Sequence, residues 1–330
     1  MRVIYDDTYK NWPGVGRVSN RYKKTIADAG INIEISERTS TTIIKNFKSL
    51  FDRSVYFCPA QYPNIFIPFG RLIFVVHDLI FLDQKELSKI TKFILGIWLK
   101  LAIYRASKII CITKTTQQKL LQHSAFAKQK TILVYNDVTD LTSNIESYIH
   151  KNSQFKFAKS DTLNCLFIGP LKYHKGCDIL LRWITDMQEG GIKLRVVHIG
   201  PKNYRLKDGM EVFDNFISTG LIRQIGEVSD EVKYEELLKC DVVLCPSREE
   251  GYGLVPMEAI AFKRLVVYNP DTPVFDELYS KIGTDWNDFA ASGFDSNISP
   301  DVSEYEAFWK DVEQKNLQSR DRLINALTNK

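Results

Sequence analysis

The stretch DVVLCPSREEGYGLVPMEAIAF, Asp241–Phe262, contains three kinds of sequence in succession. Its first part, DVVLC, is a short apolar run with β-branched residues, which is typical of a buried strand. The polar segment REEGYG carries two glycines and predicts a tight loop. The remainder, LVPMEAIAF, favours a helix, because proline is well tolerated in a first helical turn and Pro256 lies there. A strand that leads through a glycine loop into a helix is the repeating unit of a doubly wound parallel sheet.

The same order of strand, loop and helix occurs in two series along the chain. The first series starts with the strand-like RVIYD, followed by the loop GVGRVS from Gly14 and a helical stretch that stops at Gly30. The second series starts with TLNCLFIGPLKYHKGCDILL from Thr162 and includes the opening stretch. Because 330 residues exceed what one core usually holds, we expect an α/β protein with two Rossmann-like doubly wound domains facing a cleft.

The limits of these domains are placed from changes in composition. We expect an N-terminal domain over residues 1–145 and a polar linker over 146–161. A C-terminal domain is expected over 162–302, and the last segment, 303–330, is helical in character and could pack back across the hinge.

Charge is divided unevenly between the halves of the chain. Residues 1–160 hold 24 Lys and Arg against 12 Asp and Glu, whereas residues 161–330 hold 20 against 28. The basic half suits a polyanion or an anionic membrane surface. The start, MRVIYDDTY, lacks the apolar core of a signal peptide, so a cytoplasmic location is expected. The six cysteines include no CxxC pair and are expected to be buried thiols.

A basic and apolar segment at Lys85–Lys108 predicts a helix that lies on a membrane surface. Its longest uncharged apolar run, Phe93–Leu99, is far shorter than the roughly 20 residues needed to span a bilayer. A helix with lysines beside bulky apolar side chains can instead lie at an anionic interface, here at the inner face of the plasma membrane. The alternative is a helix packed into the core with its lysines in solvent. The residues expected at the membrane are Lys89, Lys92, Phe93, Ile97, Trp98 and Lys100.

The opening stretch also predicts a binding site for an anion. The first amides of a helix have no partners within it, and together with the helix dipole they attract negative charge. Glu258, in the first turns of the helix, can accept hydrogen bonds from vicinal hydroxyls such as those of a ribose, whereas Glu250 precedes the turn and faces the group attached to the phosphate. The alternative is a pair of exposed glutamates near a helix start. The other residues expected to bind here are Gly251, Tyr252, Gly253, Leu254 and Val255.

Protein groups rather than a metal are expected to neutralise that anion. The chain has no Asp-x-Asp pair and no cluster with zinc-ligand spacing, so no metal and no cofactor is predicted. The loop IGPLKYHKG follows a strand and contributes Gly169, Lys172 and Lys175. The two lysines can act as point charges on phosphate, or they can be ordinary solvated side chains.

A second glycine loop, formed by Gly14, Val15 and Gly16, follows the first strand. The dinucleotide fingerprint requires a third glycine, and Ser19 takes its place here. The loop can bring backbone amides close to a phosphate or a sugar, or it can be a tight turn with a purely structural purpose.

The segment PSREEGYGLVPMEA, with seven residues between Glu250 and Glu258, resembles the signature of retaining glycosyltransferases of the GT-B fold, family 4 type, as in bacterial cell-envelope polysaccharide synthesis. The resemblance extends through LFIGPLKYHKGCDILL and, more weakly, over the N-terminal half. It implies that Glu250 contacts hydroxyls of the donor sugar, Glu258 the ribose and Lys175 the diphosphate, while the Gly14 loop forms the cleft floor. It also implies that His77 contacts the sugar near the reacting carbon, although a histidine that ends the strand FVVH can be structural.

The resemblance implies a metal-independent hexosyltransferase that uses a GDP- or UDP-sugar and a lipid-linked glycan acceptor, in polysaccharide synthesis of the O-antigen or capsule type. Glu250, His77 and Lys175 would be its catalytic residues, and no nucleic acid partner is expected. Pro170 stands where the family has an arginine, and Asp137 where it mostly has glycine, a change expected to alter specificity rather than fold. The alternatives are a catalytically degenerate glycan- or nucleotide-binding protein and a nucleotide-sugar epimerase on the same fold.

Overall fold

The computed structural model describes residues 2–12, 14–36, 54–65, 71–83, 87–152, 161–201, 210–294 and 301–329. The strands of the first sheet are β1 Arg2–Asp6, β2 Asn32–Ser36, β3 Val55–Cys58, β4 Arg71–Val76, β5 Lys108–Cys111 and β6 Thr131–Leu133. The strands of the second sheet are β7 Leu163–Ile168, β8 Leu194–Ile199, β9 Ile222–Gly226, β10 Val242–Cys245, β11 Leu265–Tyr268 and β12 Thr284–Asp285. The helices are α1 Val15–Asp28, α2 Ile80–Asp83, α3 Lys89–Arg105, α4 Lys114–His123, α5 Thr139–Lys151, α6 Cys177–Glu189, α7 Met210–Ser218, α8 Asp230–Lys239, α9 Leu254–Ala261, α10 Pro273–Tyr279, α11 Trp286–Ala291 and α12 Val302–Thr328. Single turns of 3-10 helix cover Ala125–Ala127 and Tyr173–Lys175.

The strands pair in parallel throughout the two sheets that the structure describes. The strand order is β2-β1-β3-β4-β5-β6 in the first and β12-β11-β10-β7-β8-β9 in the second. The predicted fold class, α/β with two doubly wound domains, is therefore confirmed. In each sheet the chain order reverses once, between β1 and β3 and between β7 and β10. Open α/β sheets bind their ligands at such reversal points, beyond the carboxyl ends of the strands.

Contacts group the described residues into two compact units. The first unit takes in the described parts of 1–83, 87–138 and 311–330, and the second takes in the described parts of 139–310. The change at residue 139 lies earlier than the boundary expected at 145/146, and most of the expected linker is helical as far as Lys151. The rest of that linker, 153–160, lies outside the described residues.

Helix α5 groups with the second unit because its aromatic side chain packs there. The ring of Tyr148 meets that of Tyr234 edge-on, with 5.3 Å between centroids, and that of Phe262 at 6.3 Å. The local composition of 139–151 does not predict this contact, since the aromatic partners lie about a hundred residues further along the chain.

The C-terminal part of helix α12 groups with the first unit through polar contacts. The Ser319 hydroxyl accepts a hydrogen bond from the Tyr135 amide at 2.9 Å. The carboxylate of Asp137 pairs with Arg21 at 2.9 Å and with Arg320 at 2.7 Å. Asp137 therefore has a structural role within this unit, where it forms two ion pairs. The sequence had suggested an effect on specificity rather than on the fold.

Most buried side chains of each unit are apolar, and the cysteines lie among them. All six are free and buried, as the sequence predicted. Burial raises the pKa of the Cys111, Cys177 and Cys240 thiols to about 12, so these groups stay protonated and inert at neutral pH.

Candidate active site

Two loops meet at the reversal point of the second sheet. Strands β7 and β10 are neighbours there, and the loops that follow them carry Lys175 and Glu250. The ammonium Nζ of Lys175 lies 2.6 Å from Oε1 of Glu250. The Ser247 hydroxyl donates to the same oxygen at 2.8 Å. Sequence reasoning named both charged residues, and the structure brings them into direct contact.

The two loops approach each other so closely that glycine is required between them. Gly176 has φ +67°, and a Cβ placed on it would lie 1.9 Å from the carbonyl oxygen of Pro246. Gly169, earlier in the same loop, has φ +148° and its carbonyl accepts a hydrogen bond from the ring of His198 at 2.8 Å. Lys172 is half-buried. Gly176 explains why the turn that carries Lys175 can lie against the Glu250 loop.

The turn before helix α9 is held by a buried tyrosine. The Tyr279 hydroxyl lies 3.0 Å from the carbonyl oxygen of Tyr252 and 2.6 Å from that of Gly253. Gly253 is the residue that precedes the helix, with φ +76° and no side chain to cap it. The first amides of α9, from Leu254 and Val255, therefore receive no side-chain cap from that position. This geometry suits the anion site that the sequence predicts, and anion binding there stays a prediction.

Glu258 lies on the buried side of the same helix. It is 2% exposed and its Oε1 accepts a hydrogen bond from Lys233 Nζ at 2.6 Å. Lys233 also lies 3.0 Å from Asp230. The alternative of two exposed glutamates is wrong, because Glu258 is buried and Glu250 is half-buried. Sequence reasoning did not find Lys233, and the ribose role of Glu258 stays a prediction.

Arg248 is a further residue that sequence reasoning missed. Its guanidinium donates to both carboxylate oxygens of Asp178, at 2.6 Å each, and to the carbonyl oxygen of Tyr173 at 3.0 Å. It also lies over the Tyr173 ring, 4.1 Å from the centroid. Burial alone would raise the pKa of Asp178, but the hydrogen bonds and charge of Arg248 lower it below its ordinary value. Asp178 and Arg248 are 70 residues apart in the chain, so no local sequence pattern predicts that they form a pair.

Part of the chain, including this site, matches a described sequence family. Residues 149–282, which include Lys175, Glu250 and Glu258, match the family model described as "Glycosyl transferases group 1". An uncharacterized glycosyltransferase of Methanocaldococcus jannaschii is 27% identical over 168 residues, which are 51% of this chain and 41% of that relative. The matched part thus spans less than half the length of that relative.

Solved structures resemble the whole chain. Anabaena HepE in complex with UDP and glucose has a TM-score of 0.69 at 15% identity and covers 100% of both chains. A structure described as "Trehalose-6-phosphate from E. coli bound with UDP-2-fluoro glucose" has a TM-score of 0.71 at 13% identity, with 100% of this chain and 99% of that one covered. The chain has the GT-B fold.

The first GT-B domain carries its predicted residues on a tight turn and at a strand end. Gly14 has φ +75°, and a Cβ on Gly16 would lie 2.2 Å from the carbonyl oxygen of Lys10. Both glycines are thus required by the turn itself, and Val15 packs against the core. Whether this loop also receives a ligand stays a prediction.

His77, at the end of β4 in the same domain, is buried. Its Nε2 donates to the carbonyl oxygen of Pro59 at 2.7 Å in the neutral form, and burial lowers the pKa of the imidazole. The ring therefore stays neutral at pH 7 with one nitrogen already bonded. A sugar contact by His77 stays a prediction.

Helix α3, the predicted membrane helix, exposes much of its apolar surface. Phe93 is 69% and Ile97 is 44% exposed, and Lys89 and Lys100 are exposed beside them. Lys92 is half-buried. None of the helices described is both long enough and apolar enough to cross a membrane.

Trp98 does not belong to that exposed face. It is half-buried, and its indole N–H donates to the carbonyl oxygen of Pro63 at 3.3 Å. It lies three residues after Leu95 and four before Ala102, on the side of α3 that packs against the core. Trp98 is therefore less accessible than Phe93 and Ile97, and its contact with a membrane stays a prediction.

Within the described part of the chain, no three His, Cys, Asp or Glu side chains are grouped closely enough to hold a metal ion. Metal independence itself stays a prediction.

Proposed function

We propose that this chain transfers a hexosyl group, with retention at the anomeric carbon, from a nucleoside diphosphate sugar to a lipid-linked glycan. The observation that carries the proposal is the contact between Lys175 and Glu250 at the reversal point of the second sheet. That contact lies in the region that matches the glycosyl transferases group 1 model. The pairing supplies one cation and one hydrogen-bond acceptor, and a phosphorylated sugar needs both.

The charge of the site supports a nucleoside diphosphate sugar as the donor. A diphosphate is dianionic or more, and Lys175 together with the uncapped start of α9 offers positive potential for it. On donor binding, Lys175 exchanges Glu250 for the diphosphate, and the released carboxylate accepts hydrogen bonds from sugar hydroxyls. The similar structures solved with UDP and glucose and with UDP-2-fluoro glucose support a uridine nucleotide as the first donor to test.

The transfer step needs charge stabilisation at the leaving group. The bond from the anomeric carbon to the phosphate oxygen breaks, a bond to the acceptor oxygen forms, and the acceptor's proton passes to the departing phosphate oxygen. Lys175 and the amides of α9 stabilise the negative charge that builds on that group. Glu250 positions the sugar and forms no covalent bond in this scheme.

The surface of α3 supports a lipid-linked acceptor. Residues three or four apart form one exposed apolar stripe on this helix, namely Ile90, Phe93, Ile94, Ile97, Leu101 and Tyr104. The helix holds Lys89, Lys92, Lys100 and Arg105 and no acidic residue. An exposed apolar patch of this kind marks a protein or membrane contact. The charged side chains of α3 are all positive, and this favours an anionic lipid surface. We propose peripheral binding at the cytoplasmic leaflet, where a lipid-linked glycan is accessible.

Activity is tested with UDP-, GDP- and dTDP-hexoses and a polyprenyl-diphosphate-linked saccharide, with the product's anomeric configuration read by NMR. We expect transfer from one donor with retention, and a Lys175→Ala variant slower by about 10- to 1000-fold. Lys193→Ala removes an exposed lysine just before β8 and should leave the rate unchanged. Binding without turnover would favour the degenerate binding protein, and product formed without acceptor would favour the epimerase.

Membrane binding is tested by sedimentation with vesicles that contain phosphatidylglycerol and with vesicles of phosphatidylcholine alone. Charge reversal of Lys89 and Lys100 to Glu should weaken binding to the anionic vesicles by well over tenfold, since each lysine near such a surface contributes about 1 kcal/mol. Reversal of the exposed Lys281 and Lys310, on the second unit, is the matched control. Equal losses in the two variants would point to a general charge effect and contradict a specific role for α3.

A further inference from the structure

Arg248 joins the two loops that carry Lys175 and Glu250. It lies in the β10 loop, two residues before Glu250, and its side chain donates hydrogen bonds to the β7 loop and to the start of helix α6. Besides its side-chain bonds to Asp178 and Tyr173, its backbone N–H donates to the carbonyl oxygen of His174 at 2.9 Å. The attachment points at residues 173, 174 and 178 therefore flank Lys175 on both sides along the chain.

The geometry of these contacts fixes the turn in more than one direction. Two nitrogens of the guanidinium donate to the two carboxylate oxygens of Asp178, and its central carbon lies over the Tyr173 ring. A planar group held by a two-point hydrogen bond and by a ring contact has little freedom to rotate. A lysine in its place offers no planar fork, so it cannot make this combination of contacts.

We propose that Arg248 is a positioning residue of the candidate active site. It holds the 3-10 turn Tyr173–Lys175 against the β10 loop, so that Nζ of Lys175 stays within reach of Glu250 and of the diphosphate that replaces it. Arg248 acts through Lys175, because its own guanidinium is bonded to Asp178. The catalytic part of this inference rests on the proposed function, whereas the positional part does not.

Without Arg248 the turn that carries Lys175 is held less firmly, and the expected result is a lower rate of transfer. A displacement of about 1 Å at a reacting group typically costs about a hundredfold in rate. We expect Arg248→Met to lower kcat by about 10- to 100-fold, and Arg248→Lys to fail to restore it. Asp178→Asn should give a smaller loss, because the stacking on Tyr173 and the bond to its carbonyl remain.

The positional part is tested without any substrate. Acetylation of lysine amines by a small acylating reagent is followed by mass spectrometry in the full chain and in Arg248→Met. Lys175 should react severalfold faster in the variant, because its ion pair with Glu250 is loosened, and the exposed Lys193 should react at the same rate in both. An unchanged rate at Lys175 would overturn the proposal whether or not the chain transfers sugar.

The catalytic part is tested by a double-mutant cycle. If Arg248 acts through Lys175, Arg248→Met should change kcat by less than about twofold in a Lys175→Ala background. Multiplicative losses in the double variant would show that Arg248 acts independently of Lys175, and this result would overturn the positioning role. Absence of transfer in the unmodified chain would instead contradict the proposed function and leave the acetylation result standing.

Discussion

Two lysine–glutamate pairs flank the same glycine turn, and they differ in burial rather than in geometry. Lys175–Glu250 and Lys233–Glu258 both measure 2.6 Å between nitrogen and oxygen. The side chains of the first pair are 23% and 18% exposed, whereas those of the second are 10% and 3% exposed. The more open pair can exchange its partner for a ligand, and the buried pair cannot lose a partner without leaving a charge in the interior. One turn thus combines a contact suited to binding with a contact suited to stability.

The largest expected effect is the loss of one partner of the buried pair. Lys233→Met leaves the Glu258 carboxylate without its cation and should lower the free energy of unfolding by about 3–5 kcal/mol. Lys175→Met, on the more exposed pair, should cost about 0–1 kcal/mol. Urea unfolding of the two variants measures both numbers.

A second variant tests the cause of that loss. Adding Glu258→Gln to Lys233→Met removes the stranded charge and should recover part of the stability. Equal costs for Lys233→Met and Lys175→Met would contradict the distinction between the pairs.

Some members of these ion pairs could be predicted from the sequence and others could not, and the difference has a physical reason. Glu250 and Glu258 stand out because the strand, the glycine turn and the helix are local, and their spacing is visible in the chain. Lys175 stands out because it follows a strand on a glycine loop. Lys233 and Arg248 could not be found in this way, because their partners lie 25 and 70 residues away and become neighbours through the order of strands and helices.

Helices α3 and α5 also show that the local sequence does not reveal which distant residues become neighbours. A helix in the segment 85–108 could be predicted from composition, but α3 begins only at Lys89, after its N-cap Ser88, and ends at Arg105. The inward side of Trp98 follows from its spacing from Leu95 and Ala102. The grouping of α5 with the second unit depends on Tyr148 meeting Tyr234 and Phe262, whose positions no local pattern reveals. The two doubly wound domains could be predicted better, since they arise from repeated local units.

The next effect concerns catalysis at the more exposed pair. Glu250→Gln keeps the shape of the side chain but removes the charge that pairs with Lys175. We expect the free energy of unfolding to change by less than about 1 kcal/mol and kcat to fall by about tenfold or more, because the sugar is then held less firmly. Steady-state kinetics and urea unfolding on the same preparation separate the two effects. A stability loss as large as that of Lys233→Met would remove the contrast between the pairs.

The smallest expected effect extends the contrast to a third ion pair, Asp178–Arg248. The pKa of Asp178 is lowered in the folded protein, because the bonds and charge of Arg248 outweigh the opposite effect of burial. A carboxyl with a lowered pKa stabilises the fold fully above its unfolded pKa of about 3.9, and that contribution is lost as the pH falls through the folded value. The stability difference between the unmodified chain and Asp178→Asn should therefore be constant above about pH 5 and shrink below about pH 4. Measuring the same difference in an Arg248→Met background isolates the cause. There the acid-dependent part should become much smaller, and its persistence at full size would assign the lowered pKa to other groups, such as Arg182.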